Sequence, residues 1–216
     1  MPKIISAAEA VNDIANGATV MFGGFLAVGT PETLINALIA KDIRDLTVIC
    51  NDTGFMDKGV GKLIVQRRVK KLYASHIGTN PETGKQINAK EIEADIIPQG
   101  TLAERVRAGG AGLGGFLTPT GLGTVVEEGK QIIEVNSKPY LLELPLQADF
   151  ALLHAKAADK AGNLLFHGTA QNFNPLMAMA AATVIAEVDE ATDDYFDPNI
   201  VHTPGFLVDY LIKREG

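Results

Sequence analysis

The sequence of 216 residues contains one cysteine, so it has no intramolecular disulfide and no metal site built from several thiolates. Cys50 closes the apolar run Leu46-Thr-Val-Ile-Cys50 and reads as a small residue of a buried strand rather than a reactive thiol. Cations are short: 19 Lys and Arg stand against 26 Asp and Glu, a net charge of -7. That balance argues against a nucleic-acid partner, whose phosphates need a surplus of Lys and Arg on one face. It leaves room for a local basic patch facing an anionic ligand. No apolar run approaches the ~20 residues of a membrane span, and the N-terminus has no basic stretch leading into an apolar one. A cytoplasmic protein with no membrane partner is expected. The four histidines, His76, His154, His167 and His202, show no metal-ligand spacing, so no metal site is expected.

What is present alternates strand and helix signals. Ser6-Ala-Ala-Glu9 has the spacing of a capping box, followed by Ala10, Val11 and Ile14 at helical intervals. Thr19 to Phe22 is an apolar run that ends in Gly23-Gly24. Thr30-Pro31 then predicts a helix with Thr30 as its N-cap and Leu34, Ile35, Leu38 and Ile39 on one face. Leu46–Cys50, Val69–Ser75 and Ala94–Ile97 read as further strands, with a helix over Leu63–Arg67. A second capping box is expected at Thr101-Leu-Ala-Glu104. From Gly109 to Gly123, seven of fifteen residues are glycine, which predicts irregular backbone. Gln131–Val135 and Lys138–Leu144 read as a hairpin through Asn136-Ser137. Phe150–Ala155 and Thr183–Val188 are buried strands flanking a helix over Pro175–Ala182. Strands apolar on both faces, alternating with helices, predict an α/β fold: one domain over residues 1–216, with an open, mainly parallel sheet flanked by helices.

The glycine-rich segment Gly23-Gly24-Phe25-Leu26-Ala27-Val28-Gly29 lies between a strand and a helix N-terminus. Glycines there let backbone approach a ligand, and free helix N–H groups suit a phosphate or carboxylate. By spacing alone a tight turn with no ligand is an equal reading. The segment matches neither the Gly-x-Gly-x-x-Gly dinucleotide fingerprint nor a phosphate-binding Gly-Lys-Ser/Thr loop.

The longer string Asn16-Gly17-Ala-Thr-Val20-Met21-Phe22-Gly23-Gly24-Phe25-Leu-Ala-Val-Gly29-Thr30-Pro31 resembles, at every defining position, the N-terminal signature of family I CoA-transferases. Asn51-Asp52-Thr53-Gly54, Pro98-Gln99-Gly100-Thr101-Leu102, Arg107–Gly112, Thr118–Thr124 and Asn172-Phe173-Asn174-Pro175 resemble landmarks of the family's α subunits, in order along the chain. Ser75–Glu82 and Gly112–Phe116 are similar to the acetate/acetoacetate branch, within the NagB/RpiA-like fold group. The resemblance implies CoA transfer between short-chain acyl-CoA and a free acid such as acetate, butyrate or acetoacetate. A glutamate attacks the thioester, passes through an acyl-glutamyl anhydride and holds CoA as a glutamyl thioester. In the family that glutamate lies in a Ser-Glu-Asn-Gly string on the β subunit, and this sequence contains none. Glu127-Glu128-Gly129 has the wrong flanks and reads as a solvated helix end.

The resemblance therefore implies no catalytic residue on this chain, a β-subunit partner in an α2β2 assembly, and CoA as substrate with no permanently bound cofactor. It assigns CoA contact to Gly23–Gly29. His76, at a strand end, and Gly114 and Gly115, in a glycine loop able to offer N–H groups to an oxyanion, are candidate pocket residues. His154 is expected as a satisfied core or strand-end residue and Glu143 as one half of a salt bridge, within the fold or to the partner. Phe173, Pro175, Met177 and Met179 are expected on a core helix. A sugar-phosphate isomerase or deaminase of similar architecture would need an acid/base pair in phosphate-binding loops, and no convincing pair is found. A ligand-sensing regulatory domain would carry a DNA-binding module, for which there is neither a basic segment nor spare length.

Overall fold

The computed structural model describes residues 2–214. The chain runs β1 (Lys3–Ile4), α1 (Ala7–Ala10), β2 (Thr19–Phe22), α2 (Glu32–Ala40), β3 (Leu46–Cys50), α3 (Gly61–Val65), β4 (Val69–Ala74), α4 (Pro81–Asn88) and β5 (Glu93–Ile96). It continues with α5 (Gln99–Gly110), β6 (Phe116–Thr118), β7 (Ile132–Val135), β8 (Lys138–Glu143), β9 (Ala148–Ala158), β10 (Leu164–Leu165), α6 (Asn174–Met179), β11 (Ala181–Ala191) and β12 (Tyr210–Lys213).

The main sheet has the order β1-β12-β11-β9-β2-β3-β4-β5, every neighbour parallel, with β10 added antiparallel to β9. Successive residues of β2 serve opposite cores. Val20 and Phe22 pack with Leu34, Ile35 and Leu38 of α2, whereas Met21 packs with Leu102 and Val106 of α5 and Met177 of α6. Helices thus cover both faces, as continuous apolar strands require. From β2 the chain winds outward through β3, β4 and β5. From β9 it winds the other way through β11 and β12. The strand order reverses between β2 and β9, and the crevice outside the carboxyl ends of strands at such a reversal is where open α/β sheets take ligands.

A second sheet, β6-β8-β7, is antiparallel. Its β7–β8 hairpin turns through Asn136 and Ser137, both at positive φ (50° and 59°), as a two-residue hairpin loop demands. No helix among the described residues is long and apolar enough to cross a membrane.

Several local expectations change. The Ser6–Glu9 capping box forms, with Glu9 N donating to Ser6 Oγ at 3.2 Å and Ser6 N to Glu9 Oε2 at 3.0 Å. Its helix is one turn long, although Val11 and Ile14 beyond it are buried. Thr30 does not cap α2: Pro31 occupies the cap position without a side-chain bond. Helix α5 starts at Gln99, so Thr101 is buried inside the helix instead of capping it. That helix also absorbs Gly109 and Gly110, which the glycine count had assigned to irregular backbone. Helix α4 was not anticipated, because its sequence Pro-Glu-Thr-Gly-Lys-Gln-Ile-Asn is nearly all polar. Its signals are Asn80, whose Oδ1 accepts Glu82 N at 3.2 Å, and Pro81 at the first turn.

Candidate active site at the sheet reversal

Strand β2 ends at Phe22, and Gly23–Gly29 emerges at the reversal itself. Gly23 N donates to Leu152 O of β9 at 3.0 Å, which anchors the start of the loop to the neighbouring strand. Phe25 and Val28 then exchange two backbone hydrogen bonds, Phe25 N to Val28 O at 3.0 Å and Val28 N to Phe25 O at 2.9 Å. The two residues between them, Leu26 and Ala27, sit at φ 46° and 66°, the left-handed region that side chains with a Cβ avoid. Each such residue costs about 1–3 kcal/mol and persists only where surrounding contacts over-determine it.

Those contacts come from far along the chain. Leu26 N donates to Asp52 Oδ2 at 2.9 Å, and Gly24 N to Asn172 Oδ1 at 3.1 Å. Asn172 Nδ2 donates to Val28 O at 3.0 Å, and Asn174 Nδ2 to Gly29 O at 3.1 Å. Clamped from both sides, the loop presents the rings and methyls of Phe25 and Val28 to solvent. The N–H groups of Ala27 and Gly29 have no acceptor among the described residues. The strained turn is thus held in place by side chains from two remote parts of the chain.

On one side of the loop lies a cleft of about 400 Å³ lined by Phe25, Leu26, Asn51, Asp52, Ser75, His76, Thr79 and Gln99. Its floor is a chain of polar contacts. Gln99 Nε2 donates to Asn51 Oδ1 at 2.7 Å, and Asn51 Nδ2 donates to Asp52 Oδ2 at 2.7 Å. Ser75 Oγ donates to Asn51 O at 2.7 Å. His76 lies in the lining of this cleft. Its imidazole makes no hydrogen bond among the described residues. Asp52 is the only carboxylate of the lining, and both its oxygens are engaged, Oδ1 by Gly54 N at 2.8 Å. The cleft therefore offers amide, hydroxyl and imidazole groups beside a phenyl ring, suited to holding a thioester or small acid. It offers no free carboxylate nucleophile.

Residues 4–214 match the family model described as coenzyme A transferase. The chain belongs to the coenzyme A transferase family. It is 50% identical over 214 residues to the acetate CoA-transferase subunit alpha of Escherichia coli (strain K12), covering 99% of this chain and 97% of that one. It is also 50% identical to the acetoacetyl-CoA:acetate/butyrate CoA transferase alpha subunit of Clostridium acetobutylicum, covering 98% of each. Among solved structures, the acyl-CoA transferase of Escherichia coli O157:H7 in a thioester complex with CoA superposes with a TM-score of 0.89 at 26% identity. That match covers 99% of this chain but 47% of the other, so this chain corresponds to about half of that polypeptide. The expectation of a CoA-transferase built on a mostly parallel sheet with flanking helices is met.

On the other side of the loop is a wider cleft of about 660 Å³ lined by Val28, Gly29, His154, Lys156, His167, Gly168, Thr169, Ala170 and Asp189. In this transferase-family chain the glycine loop is thus a partition between two compartments. His154 is a buried strand residue, as expected, with Nε2 3.0 Å from Asp189 Oδ1. Its satisfaction is incomplete, since Nδ1 is buried with no partner. Burial works to raise the Asp189 carboxyl, but the bond and charge of His154, with Arg214, hold it below the ordinary carboxylate value.

Gly114 and Gly115 line neither cleft. Gly115 leads into β6, where an added Cβ would fall 2.8 Å from Glu143 O. Glu143 is 1% exposed and pairs with Lys130 Nζ at 2.6 Å, so of the two salt bridges expected for it, the one within the fold forms. Phe173 and Met177 of the expected core helix are buried, but Met179 is exposed, because two residues along a helix turn by about 200° and so face it away from Met177. Sequence reasoning gave no role to Asp52, Gln99, Asn172 or Asn174. All four lie in strings singled out for their resemblance, yet the contacts that bring them to the loop and the cleft span 26 to 148 residues, which no local spacing reveals.

Proposed function

We propose that this chain is the α subunit of a two-subunit CoA-transferase that moves CoA between a short-chain acyl-CoA and a free carboxylic acid such as acetate, acetoacetate or butyrate. The substrates are those named for the relatives that are 50% identical to it along almost their whole length. The observation that carries this reading is the clamped, strained Gly23–Gly29 loop at the sheet reversal, beside a cleft that has no uncommitted carboxylate.

In this reading Gly23, Gly24, Phe25, Leu26, Ala27, Val28 and Gly29 form the CoA-facing wall, and His76 lines the acyl or acid pocket. A β subunit supplies the nucleophilic glutamate and completes an α2β2 enzyme in the cytoplasm. The glutamate carboxylate adds to the thioester carbonyl and CoA leaves as the thiolate. The thiolate then attacks the glutamyl carbonyl of the anhydride, expelling the first acid. An incoming carboxylate reverses the sequence and departs as the new acyl-CoA. Support for a nucleophile elsewhere comes from the local lookalike: Glu127 spends its carboxylate on Gly123 N at 2.7 Å, and Glu128 is solvent-exposed. Gly114 and Gly115 are proposed to face the β subunit or the substrate from the small sheet.

The test is acetyl-CoA:acetoacetate CoA exchange, measured for the chain alone and with its β subunit. Activity is expected only for the pair, and appreciable turnover by the isolated chain refutes the two-subunit reading. Borohydride reduction of the acyl-CoA-treated pair should modify the β subunit only. Label on Glu128 or any other residue of this chain would overturn the assignment.

A further inference from the structure

The loop Gly24-Phe25-Leu26-Ala27-Val28-Gly29 has a counterpart thirty residues on, Gly54-Phe55-Met56-Asp57-Lys58-Gly59. Each follows one of two neighbouring parallel strands, β2 and β3, and each precedes a helix, α2 and α3. Each is closed by a bridge from its phenylalanine to the residue three positions later, Phe25 to Val28 and Phe55 to Lys58. Each leaves that phenylalanine projecting, 42% exposed for Phe25 and 40% for Phe55. The chain therefore presents two similar ridges side by side at the carboxyl end of the sheet, differing in their turns: Leu26 and Ala27 are at positive φ, Met56 and Asp57 are not.

One side chain joins them. Asp52 Oδ2 accepts Leu26 N of the first ridge at 2.9 Å, while Oδ1 accepts Gly54 N at the base of the second at 2.8 Å. Asn51 Nδ2 adds a third donor at 2.7 Å, linking the carboxylate to Gln99. Asp52 is 7% exposed, and no Lys, Arg or His of the described residues forms a salt bridge with it. A nearly buried carboxylate without a cation is costly unless N–H groups satisfy it. What those N–H groups hold here is the strained turn at Leu26. An amide could accept for one ridge but would turn its NH2 toward the other. A carboxylate serves both.

We propose that Asp52 is a positioning residue for CoA transfer, locking the two ridges into one body so that Phe55 and its loop belong to the same ligand wall as Gly23–Gly29. The inference rests on the reading of Gly23–Gly29 as the CoA-facing segment and extends it to a loop that the signature does not include. Asp52 does not touch the reacting atoms in this scheme; it acts through the placement of Leu26 and Gly54.

The experiment is steady-state exchange kinetics on the assembled two-subunit enzyme carrying D52A, D52N or F55A. D52A should raise the KM for acyl-CoA about tenfold, the scale of a lost charge-assisted hydrogen bond. The kcat should change far less. D52N, which retains one acceptor, should fall between wild type and D52A. F55A, altering an exposed side chain, should raise the same KM without lowering the unfolding midpoint. An unchanged acyl-CoA KM in D52A, or a fall in kcat that merely tracks lost folded protein, refutes the positioning role. An unchanged KM in F55A removes the second loop from the wall. Inactivity of the wild-type pair would instead defeat the underlying reading, so the two failures are told apart.

Discussion

The Glu187 carboxylate caps helix α2 across 154 residues of sequence, accepting Thr33 N at 2.8 Å while its other oxygen accepts Thr33 Oγ1 at 3.0 Å. Leu34 N adds a third donor at 3.2 Å. Glu187 lies in the middle of β11, fully buried, and the helix it caps is the one that leaves the glycine loop. A strand side chain thereby does what Thr30 was expected to do, and it fixes the exit of the loop against the sheet.

Removing that cap should be costly. Glu187→Ala leaves the N–H of buried Leu34 and the N–H and hydroxyl of half-buried Thr33 without acceptors, and we expect a loss of about 1–3 kcal/mol in urea unfolding, with Glu187→Gln closer to wild type. Burial pushes the Glu187 carboxyl above its ordinary value of 4.5, against the pull of the Leu34 and Thr33 bonds. A raised value in the folded state means that its contribution is full below about pH 4.5 and declines as pH rises through the folded value. The permanently neutral Gln should abolish that decline. An identical pH slope in both proteins would show that Glu187 is not its source.

Asp189 has the opposite sign. Held below its ordinary 3.8 by His154 and Arg214 despite burial, it stabilises the fold above that pH, and the contribution is lost as acid protonates it through the folded value. Asp189→Asn should therefore be less stable than wild type at neutral pH, with the gap closing only as pH falls below 3.8 and through the folded value. Urea midpoints measured across that range check this, and a constant gap between the two proteins would contradict it.

Gly29 sits at φ +75°, and an added Cβ would lie 2.6 Å from Ala170 O. Gly29→Ala should cost more than the ~1–2 kcal/mol of a left-handed residue alone, because it forces the loop away from the segment that carries Ala170. The acyl-CoA KM should rise in parallel. Gly17→Ala is the control: φ +82° with nothing within 4 Å of the new methyl, so it should show the backbone cost and normal kinetics. Equal kinetic effects from the two would detach the loop from CoA binding.

Cys50 is buried, and burial together with the nearby Asp52 charge pushes its thiol well above the ordinary 9.0. The native protein should resist iodoacetamide near pH 8, where the urea-unfolded chain is labelled at its single cysteine. Mass spectrometry reads the outcome directly. Rapid labelling of the native protein would mean that the end of β3 opens readily.

Much of the fold was open to inference because its signals are local. Val20 to Phe22 and Leu46 to Cys50 are apolar at every or nearly every position and alternate with helix signals, the pattern of a sheet covered on both faces. Asn136-Ser137 marks a hairpin, and Ser6 with Glu9 marks a helix start, because each pair acts on backbone within three residues of itself. Expectation failed where the deciding partner was remote or the element was polar. Thr101 sat inside α5 instead of capping it, since Pro98 had already started the helix. Helix α4 has almost no apolar face, although Thr83 and Gln86 are buried in hydrogen bonds to Thr53 Oγ1 and Ile64 O.

By itself the sequence determined the family, through the string from Asn16 to Pro31, and the absence of the Ser-Glu-Asn-Gly string that would have supplied a nucleophile. How the glycine loop is held comes from packing between distant segments. Asp52, Asn172 and Asn174 converge on it from two other parts of the chain, and Glu187 secures the helix that follows. A hydrogen bond to backbone requires proximity and orientation but no particular sequence separation. Residues that shape a loop from 26 to 148 positions away therefore leave no periodicity to read, and the sheet alone brings them together.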